Sequence, residues 1–429
     1  MTDELLIYNA GQLVTLAGVA RPRRKDEMGD LAIIENGAML ARDGIIVAIG
    51  KSEDLFNQVN SDAMRIDAKG AAVLPGFVDA HTHTVFAGTR EDEYEMRAAG
   101  FTYQEIAARG GGIRSTVRKT RLASENELFE LALPRVRRLL EHGTTTIETK
   151  SGYGLTLEDE LKILRVIRRI NQETPLECVP TFLGAHEIPD EYRSADDPAK
   201  SRETYIRLVI DEMLPRVVEE KLAEYCDVFC ESHVFNIEET RRILLRAKAI
   251  GLGIRFHADQ LTLSGGGLLA AELEAASADH LEWIDDAGIA ALLRAKVAAV
   301  LLPGAVFNLG LTHYPPARKL IESGVAVVIA TDFNPGSSPT PSMQMMLSIA
   351  CTQMKMTPAE AITAATINAA YSLNRGARLG SLEIGKQADA VIFDCPNFRQ
   401  IPYLFGINHA QVVVKKGRVV IDRREMAKC

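Results

Sequence analysis

Two histidines one residue apart, His81 and His83, follow the short apolar run Val73 to Asp79. Residues two apart in an extended chain leave the same face, so both imidazoles emerge together at a strand's end. Further along, His257, His280 and Asp332 each close another short apolar run. Three imidazoles and one carboxylate form a donor set for Zn²⁺ or Fe²⁺ that leaves a position for water. A single strand-end histidine is usually a satisfied structural residue. Five such residues, all at strand ends, point to one metal site.

A site of this kind needs a frame that gathers distant strand ends. The middle of the chain alternates apolar runs with amphipathic stretches. Candidate strands are Val73 to Asp79, Thr144 to Thr149, Leu176 to Phe182, Asp227 to Glu231, Gly253 to His257, Ser277 to His280, Val297 to Leu302 and Val325 to Thr331. Eight strands separated by helical stretches predict an α/β fold, a (β/α)₈ TIM-like barrel, whose chemistry sits at the C-terminal strand ends. In that frame the first strand delivers His81 and His83, the fifth His257, the sixth His280 and the eighth Asp332. Thr357-Pro-Ala-Glu360 combines an N-cap, an N1 proline and a capping-box acid before a helical run to Leu373. The stretch from Gly88 to Arg121 is long for one connection and is expected to form an insertion over the barrel mouth.

Both ends of the chain have a different texture. Leu5 to Leu16, Leu31 to Leu40, Ile45 to Ile49, Ala390 to Phe393, Gln411 to Lys415 and Arg418 to Ile421 are short β-rich runs. Asn36-Gly37, Asp43-Gly44 and Lys416-Gly417 lie among them as hairpin signals. The expected organisation is a small β-sandwich domain built from both termini, residues 1–72 plus 376–429, around a barrel of residues 73–375.

The 429 residues carry 47% hydrophobic and 25% charged side chains, enough for a large core. A formal charge of −8 argues against nucleic acid or an acidic membrane surface as partner, but not against a small anionic substrate met by a local arginine. No apolar run approaches a membrane span, and the N-terminus mixes acidic with apolar residues, unlike a signal segment. Cys178, Cys226, Cys230, Cys351, Cys395 and Cys429 are scattered, with no disulfide or zinc-knuckle pattern, which fits a reducing cytoplasmic setting.

Gly76-Phe-Val-Asp-Ala-His-Thr-His83 resembles the strand-one metal motif of the amidohydrolase superfamily, and Ala330-Thr-Asp332 resembles its strand-eight acid. The superfamily's barrel with a split β domain spans nearly the whole chain. One subtype bridges two metals with a strand-four lysine. The fourth strand here has none, so the resemblance implies one divalent ion per subunit, zinc or iron. Lys150, at the second strand's end, is expected to make a structural salt bridge. Further motifs narrow the resemblance to members that hydrolyse the cyclic amide of 4-imidazolone-5-propanoate to N-formimidoyl-L-glutamate. These are Val85-Phe-Ala-Gly-Thr-Arg90, Gly110-Gly-Gly-Ile-Arg-Ser-Thr116, Lys150-Ser-Gly-Tyr-Gly154, Phe182-Leu-Gly-Ala-His186 and Thr331-Asp-Phe-Asn-Pro-Gly-Ser-Ser338.

The resemblance assigns His81, His83, His257 and Asp332 as metal ligands, with Asp332 also moving the water's proton to the leaving ring nitrogen. His280 would polarise the carbonyl. Gln260 stands where some members carry glutamate. An amide is no proton acceptor at neutral pH, so Gln260 is expected to orient the ring or the water. Substrate binding is carried onto Arg90, Tyr153, His186, Gln260, Asn334, Gly336 and Ser337. Arg90 suits a carboxylate arm, its plain alternative being an ion pair with Glu91 or Glu93. A homodimer is implied as well.

His142, at a helix C-terminus where positive charge is welcome, and His233, His313 and His409 are read as structural. Trp283, Met343, Met345 and Met346 are expected to pack the core or a subunit contact. Two rival readings differ in kind. A deaminase of cyclic amidines would share the metal and differ in the pocket; a non-catalytic scaffold would be free to lose ligands, and none is lost.

Overall fold

A computed structural model describes residues 3–101, 105, 109–194 and 196–424. Five strands open the chain: β1 (Glu4–Val14), β2 (Ile33–Arg42), β3 (Ile45–Lys51), β4 (Met64–Asp67) and β5 (Ala72–Pro75). Eight more build the barrel: β6 (Phe77–Asp79), β7 (Thr144–Lys150), β8 (Glu177–Ala185), β9 (Tyr225–Cys230), β10 (Gly253–Ala258), β11 (Ser277–His280), β12 (Ala298–Leu301) and β13 (Val327–Ile329). The last three, β14 (Ala390–Phe393), β15 (Ala410–Lys415) and β16 (Arg418–Asp422), return to the first sheet.

That first sheet runs β16-β15-β14-β5-β1-β2-β3, with β4 also against β1. Its two ends curl back together, Ile45 bridging Gln387, around a shared core of Leu5, Ile7, Val73, Ile392, Val412 and Val414. The second sheet is parallel throughout, in the order β6 to β13. It closes just beyond the strands themselves. Thr82 bridges Phe333, Asp332 N–H donates to His81 C=O at 3.0 Å, and His83 N–H to Phe333 C=O at 2.8 Å. The seam of the barrel is therefore the segment that carries three of the chemistry-bearing side chains.

The apolar run Val73 to Asp79 is two strands rather than one. At Gly76 the chain leaves the small sheet for the barrel, because β5 pairs with β1 and β14 whereas β6 pairs with β7. A Cβ at Gly76 would stand 2.4 Å from Thr145 Oγ1 and 2.5 Å from Thr145 Cγ2, so the crossing requires glycine. Asn36-Gly37 is no hairpin turn but lies inside β2, whereas Asp43-Gly44 joins β2 to β3 with both residues at positive φ, 49° and 80°. The run after Thr357 breaks into Pro358–Ala364 and Ile367–Ser372, its capping box formed as expected. Trp283 lies outside the core, 46% exposed and stacked on His313 at 4.2 Å.

The connection from Gly88 to Arg121 holds helices Glu91–Ala98 and Ile113–Leu122, and residues 102–104 and 106–108 of it lie outside the described ones. No helix among the described residues is long and apolar enough to cross a membrane. Glu177, at the start of β8, joins the two sheets: it pairs with Arg378, Arg375 and, at 3.3 Å, with Lys415 of β15.

Candidate metal centre

Strand ends aim five side chains at one another. His81 and His83 follow β6, His257 lies within β10, His280 ends β11, and Asp332 follows β13. All five are buried. Their rings meet edge to face or tilted: His81 to His257 at 4.6 Å between centroids, His257 to His280 at 5.1 Å, and His81 to His83 at 5.3 Å. His280 and Asp332 sit in the left-handed backbone region, with φ of 82° and 53°. Such positions cost on the order of 1–3 kcal/mol and persist only where the surroundings over-determine them. Here hydrogen bonds from Leu281 N–H to Ala258 C=O and from Asp332 N–H to His81 C=O hold both turns.

Two of these imidazoles have one nitrogen spoken for, whereas Nδ1 of His83 and of His280 is buried without a hydrogen-bond partner. His81 Nδ1 lies 2.7 Å from Asp279 Oδ2, and His257 Nδ1 lies 3.0 Å from Asp227 Oδ1. A carboxylate at Nδ1 keeps the proton there and turns the Nε2 lone pair outward, the arrangement metal-binding histidines use. His81 Nε2 is buried without a hydrogen-bond partner. Asp332 Oδ1 stands 3.7 Å from it and 3.6 Å from His83 Nε2, and ligand atoms of His81, His83 and His257 fall within 4.8 Å of one another. A buried, orphaned acceptor facing a carboxylate at ligand-to-ligand spacing fits a divalent cation, which supplies the partner His81 Nε2 lacks.

The electrostatics agree. Burial, then the positive Lys150, pushes the His81 pKa well below the usual imidazole range; burial and His186 do the same to His83. Both rings are neutral and able to ligate. Burial raises the Asp332 pKa against the pull of His280 and His257. His280 moves the other way from His81 and His83: burial opposes its charge, but Glu282, 3.5 Å from Nδ1, and Asp332 outweigh burial and raise its pKa.

Below the histidines lies a layer of charge that sequence reasoning left out, except for Lys150. Lys150 is the salt-bridge residue expected, fully buried, 2.7 Å from Glu148, 2.8 Å from Asp227 and 3.8 Å from Asp279. Burial works against its charge, and Asp227, Glu148 and Asp279 outweigh burial and raise its pKa. Asp227, which burial alone would raise, is held well below the carboxylate range by His257 and Lys150. Arg255 adds a second buried cation, bonded to Ala80 and Ser372 carbonyls. The signal for these residues was present: charged residues at alternate positions of otherwise apolar strands, as in Arg255-Phe-His257, face the barrel interior and need partners there.

Of the expected substrate residues, His186 and Tyr153 lie against His83 and Ser337 against Asp332. His186 stacks on His83 at 5.2 Å and donates from Nδ1 to Gly152 C=O at 3.0 Å, which leaves Nε2 as an acceptor. Burial, then His257, lowers its pKa to about 3, so it stays neutral. Tyr153 is buried beside His83 and His186, its loop held by Glu160, which accepts from the N–H groups of Gly152, Gly154 and Leu155. Arg90 adopts the ion pair considered as its alternative, Nη2 donating to Glu93 at 2.6 Å, while its Nη1 lies so close to Gly336 that a Cβ there would stand 2.0 Å away. Asn334 spends its amide on its own loop, donating to Asp332 C=O and Ser337 Oγ and accepting from Gly336 and Ser337 N–H. Ser337 donates to Asp332 Oδ2 at 3.2 Å. Gln260 is half-buried past the end of β10. His142 does cap the helix Glu125–Glu141, but burial and Arg423 lower its pKa, contrary to the charged form expected. His409 is structural, bonded to Asp394 and to Leu404 C=O.

A family model described as the amidohydrolase family matches residues 72–420. The imidazolonepropionase of Solibacter usitatus is 57% identical over 423 residues, 99% of this chain and 100% of its own. That of Symbiobacterium thermophilum is 51% identical, covering 98% and 97%. Among solved structures, a zinc-bound adenosine deaminase from Xanthomonas campestris matches with a TM-score of 0.71 at 20% identity, over 99% of this chain and 94% of that one. The guanine deaminase of E. coli matches with a TM-score of 0.71 at 15% identity, over 99% and 100%. These two share the fold.

Proposed function

The chain belongs to the amidohydrolase family, and from that premise we propose that it is a metal-dependent hydrolase of the cyclic amide C–N bond in 4-imidazolone-5-propanoate, releasing N-formimidoyl-L-glutamate. The observation that carries this reading is the buried trio His81, His83 and His257 facing Asp332, with carboxylates behind His81 and His257, beside a pocket with an arginine. Those four residues would hold one zinc or iron ion, since imidazole and carboxylate suit both. When bound, the ion supplies Lewis acidity, which makes water nucleophilic near neutral pH.

The chain's own groups do the rest. Asp332, steadied by Ser337, takes the proton of the attacking water and delivers it to the ring nitrogen as the C–N bond breaks. His280, its protonated form favoured by Glu282 and Asp332 against burial, donates a hydrogen bond to the carbonyl oxygen as negative charge develops there. His186 Nε2 accepts from a ring N–H, Gln260 orients the ring, and the Tyr153 hydroxyl and Asn334–Ser337 loop close around it. Arg90 receives the propanoate arm through the edge of its guanidinium that Glu93 leaves free.

Metal-loaded protein given imidazolone propanoate should consume the ring chromophore. No turnover there, with ammonia release from a cyclic amidine, would transfer the site to the deaminase reading. Elemental analysis of the purified protein decides between zinc and iron. The same reading includes a cytoplasmic setting, supported by the scattered cysteines, and a homodimer, supported by the exposed apolar run Tyr403, Phe405 and Ile407. Sedimentation equilibrium giving one subunit mass would remove the dimer.

A further inference from the structure

We propose that Lys150 is a positioning residue for the metal site: its ammonium group, lying between Asp227 and Asp279, sets the two carboxylates that aim His257 and His81. The proposal rests on the reading of His81, His83 and His257 as metal ligands. A lysine with no exposed surface is affordable only where its partners compensate it, so those partners identify its task.

They are not three equivalent anions. Asp227 turns Oδ2 to Lys150 at 2.8 Å and Oδ1 to His257, accepting the backbone N–H at 3.2 Å and facing Nδ1 at 3.0 Å. Asp279 faces His81 Nδ1 with Oδ2 at 2.7 Å, the same oxygen that lies 3.8 Å from Lys150 and 3.9 Å from Arg255. Lys150 thus lies one carboxylate away from each of two ligands on different strands, β6 and β10. Arg255, the other buried cation, lies 3.9 Å from Asp279 and acts on Asp227 through charge at longer range, whereas Lys150 is the one at 2.8 Å from Asp227. Glu148 accepts a hydrogen bond from the ammonium at 2.7 Å, while Asp227 and Asp279 are its ion-pair partners.

Charge explains why a neutral residue would not serve. Glu148, Asp227 and Asp279 face Lys150 and Arg255, leaving one negative charge uncompensated beneath the ligands. Without Lys150 the excess becomes two, and the carboxylates repel one another or take up protons. Either change costs stability, separately from the loss of the ammonium contact that holds Asp227 and Asp279 where they aim the imidazoles. Residues one step behind a ligand are worth about 10–100-fold in metal affinity.

The test separates aim from fold. The zinc dissociation constant is measured by competition with a chromophoric chelator, and the unfolding midpoint of the metal-free protein in urea, for wild type, Lys150→Met and the double variant Glu148→Gln/Lys150→Met. The double variant restores the charge balance while leaving Asp227 and Asp279 in place. The expected result is a zinc constant raised about 10–100-fold in both variants, with the unfolding midpoint recovered in the double variant. If Lys150→Met does not fold, the double variant carries the measurement. A double variant that binds zinc like wild type, or one still as unstable as the single, makes Lys150 a fold brace and overturns the proposal. A wild-type chain that takes up no zinc or iron would instead overturn the metal-site reading beneath it.

Discussion

Asp332 combines two tasks in one carboxylate. Oδ1 faces His81 and His83 at ligand spacing, while Oδ2 accepts from Ser337. Asp332→Asn keeps the shape and removes the proton acceptor. At saturating metal, kcat should fall about 10²–10⁴-fold, as read by steady-state kinetics; an unchanged kcat would move the proton work elsewhere. Gly336 gives a sharper probe of the arm-binding side. A Cβ there meets only the far end of the Arg90 side chain, which can move. Gly336→Ala should therefore leave the unfolding midpoint nearly unchanged and raise KM for the propanoate substrate roughly tenfold, about 1.4 kcal/mol of lost binding. At this scale the histidines and Asp332 were legible because strand-end polar residues are conspicuous against apolar runs. Glu282, Asp227 and Asp279 were not. Asp227 and Asp279 meet His257 and His81 only once strands distant in sequence lie side by side, whereas Glu282 lies two residues from its partner His280 and was passed over.

The crossing at Gly76 shows what an element-level reading can and cannot see. Leu74 to Asp79 is buried throughout, so the hydrophobic pattern runs on without a mark where the chain changes sheets. Thr145, on the neighbouring β7, occupies the space a side chain at 76 would need. Gly76→Ala should destabilise the protein by about 1–3 kcal/mol through overpacking, measured as a lower urea midpoint. Loss of metal should accompany it, because His81 and His83 hang from the strand that is displaced. A midpoint equal to wild type would mean β6 and β7 can part without cost. The broken helix after Thr357 follows from the same limitation. Its start was readable in the capping box, whereas its interruption at Ala365 and Thr366 comes from the barrel floor, where Val78 N–H donates to Ala365 C=O.

For the molecule as a whole, the joint between the two sheets predicts an acid limit. Burial alone would raise the Glu177 pKa, but Arg378 and Lys415 outweigh it and hold the group at about 2. A carboxylate depressed on folding stabilises above its unfolded pKa and loses that contribution as pH falls toward the folded value. Stability should be intact above about pH 4.5, then decline by about 3 kcal/mol as pH falls toward 2. Glu177→Gln should flatten that decline in urea titrations at successive pH values. An equally steep decline in the variant would place the acid sensitivity elsewhere. Chelation should act at the same scale: stripping the ion should abolish turnover and lower the melting temperature, since a ligand bound only by the folded state stabilises it by mass action. By itself, the sequence determined the alternation of strands and helices, the histidines and acids at strand ends and the kinship of its motifs, because each is written in local pattern or residue type. Only the tertiary structure decided that the barrel closes at the ligands themselves, that Gly76 is the crossing, and that Lys150 lies beneath two of the histidines, because these are distances between residues far apart along the chain.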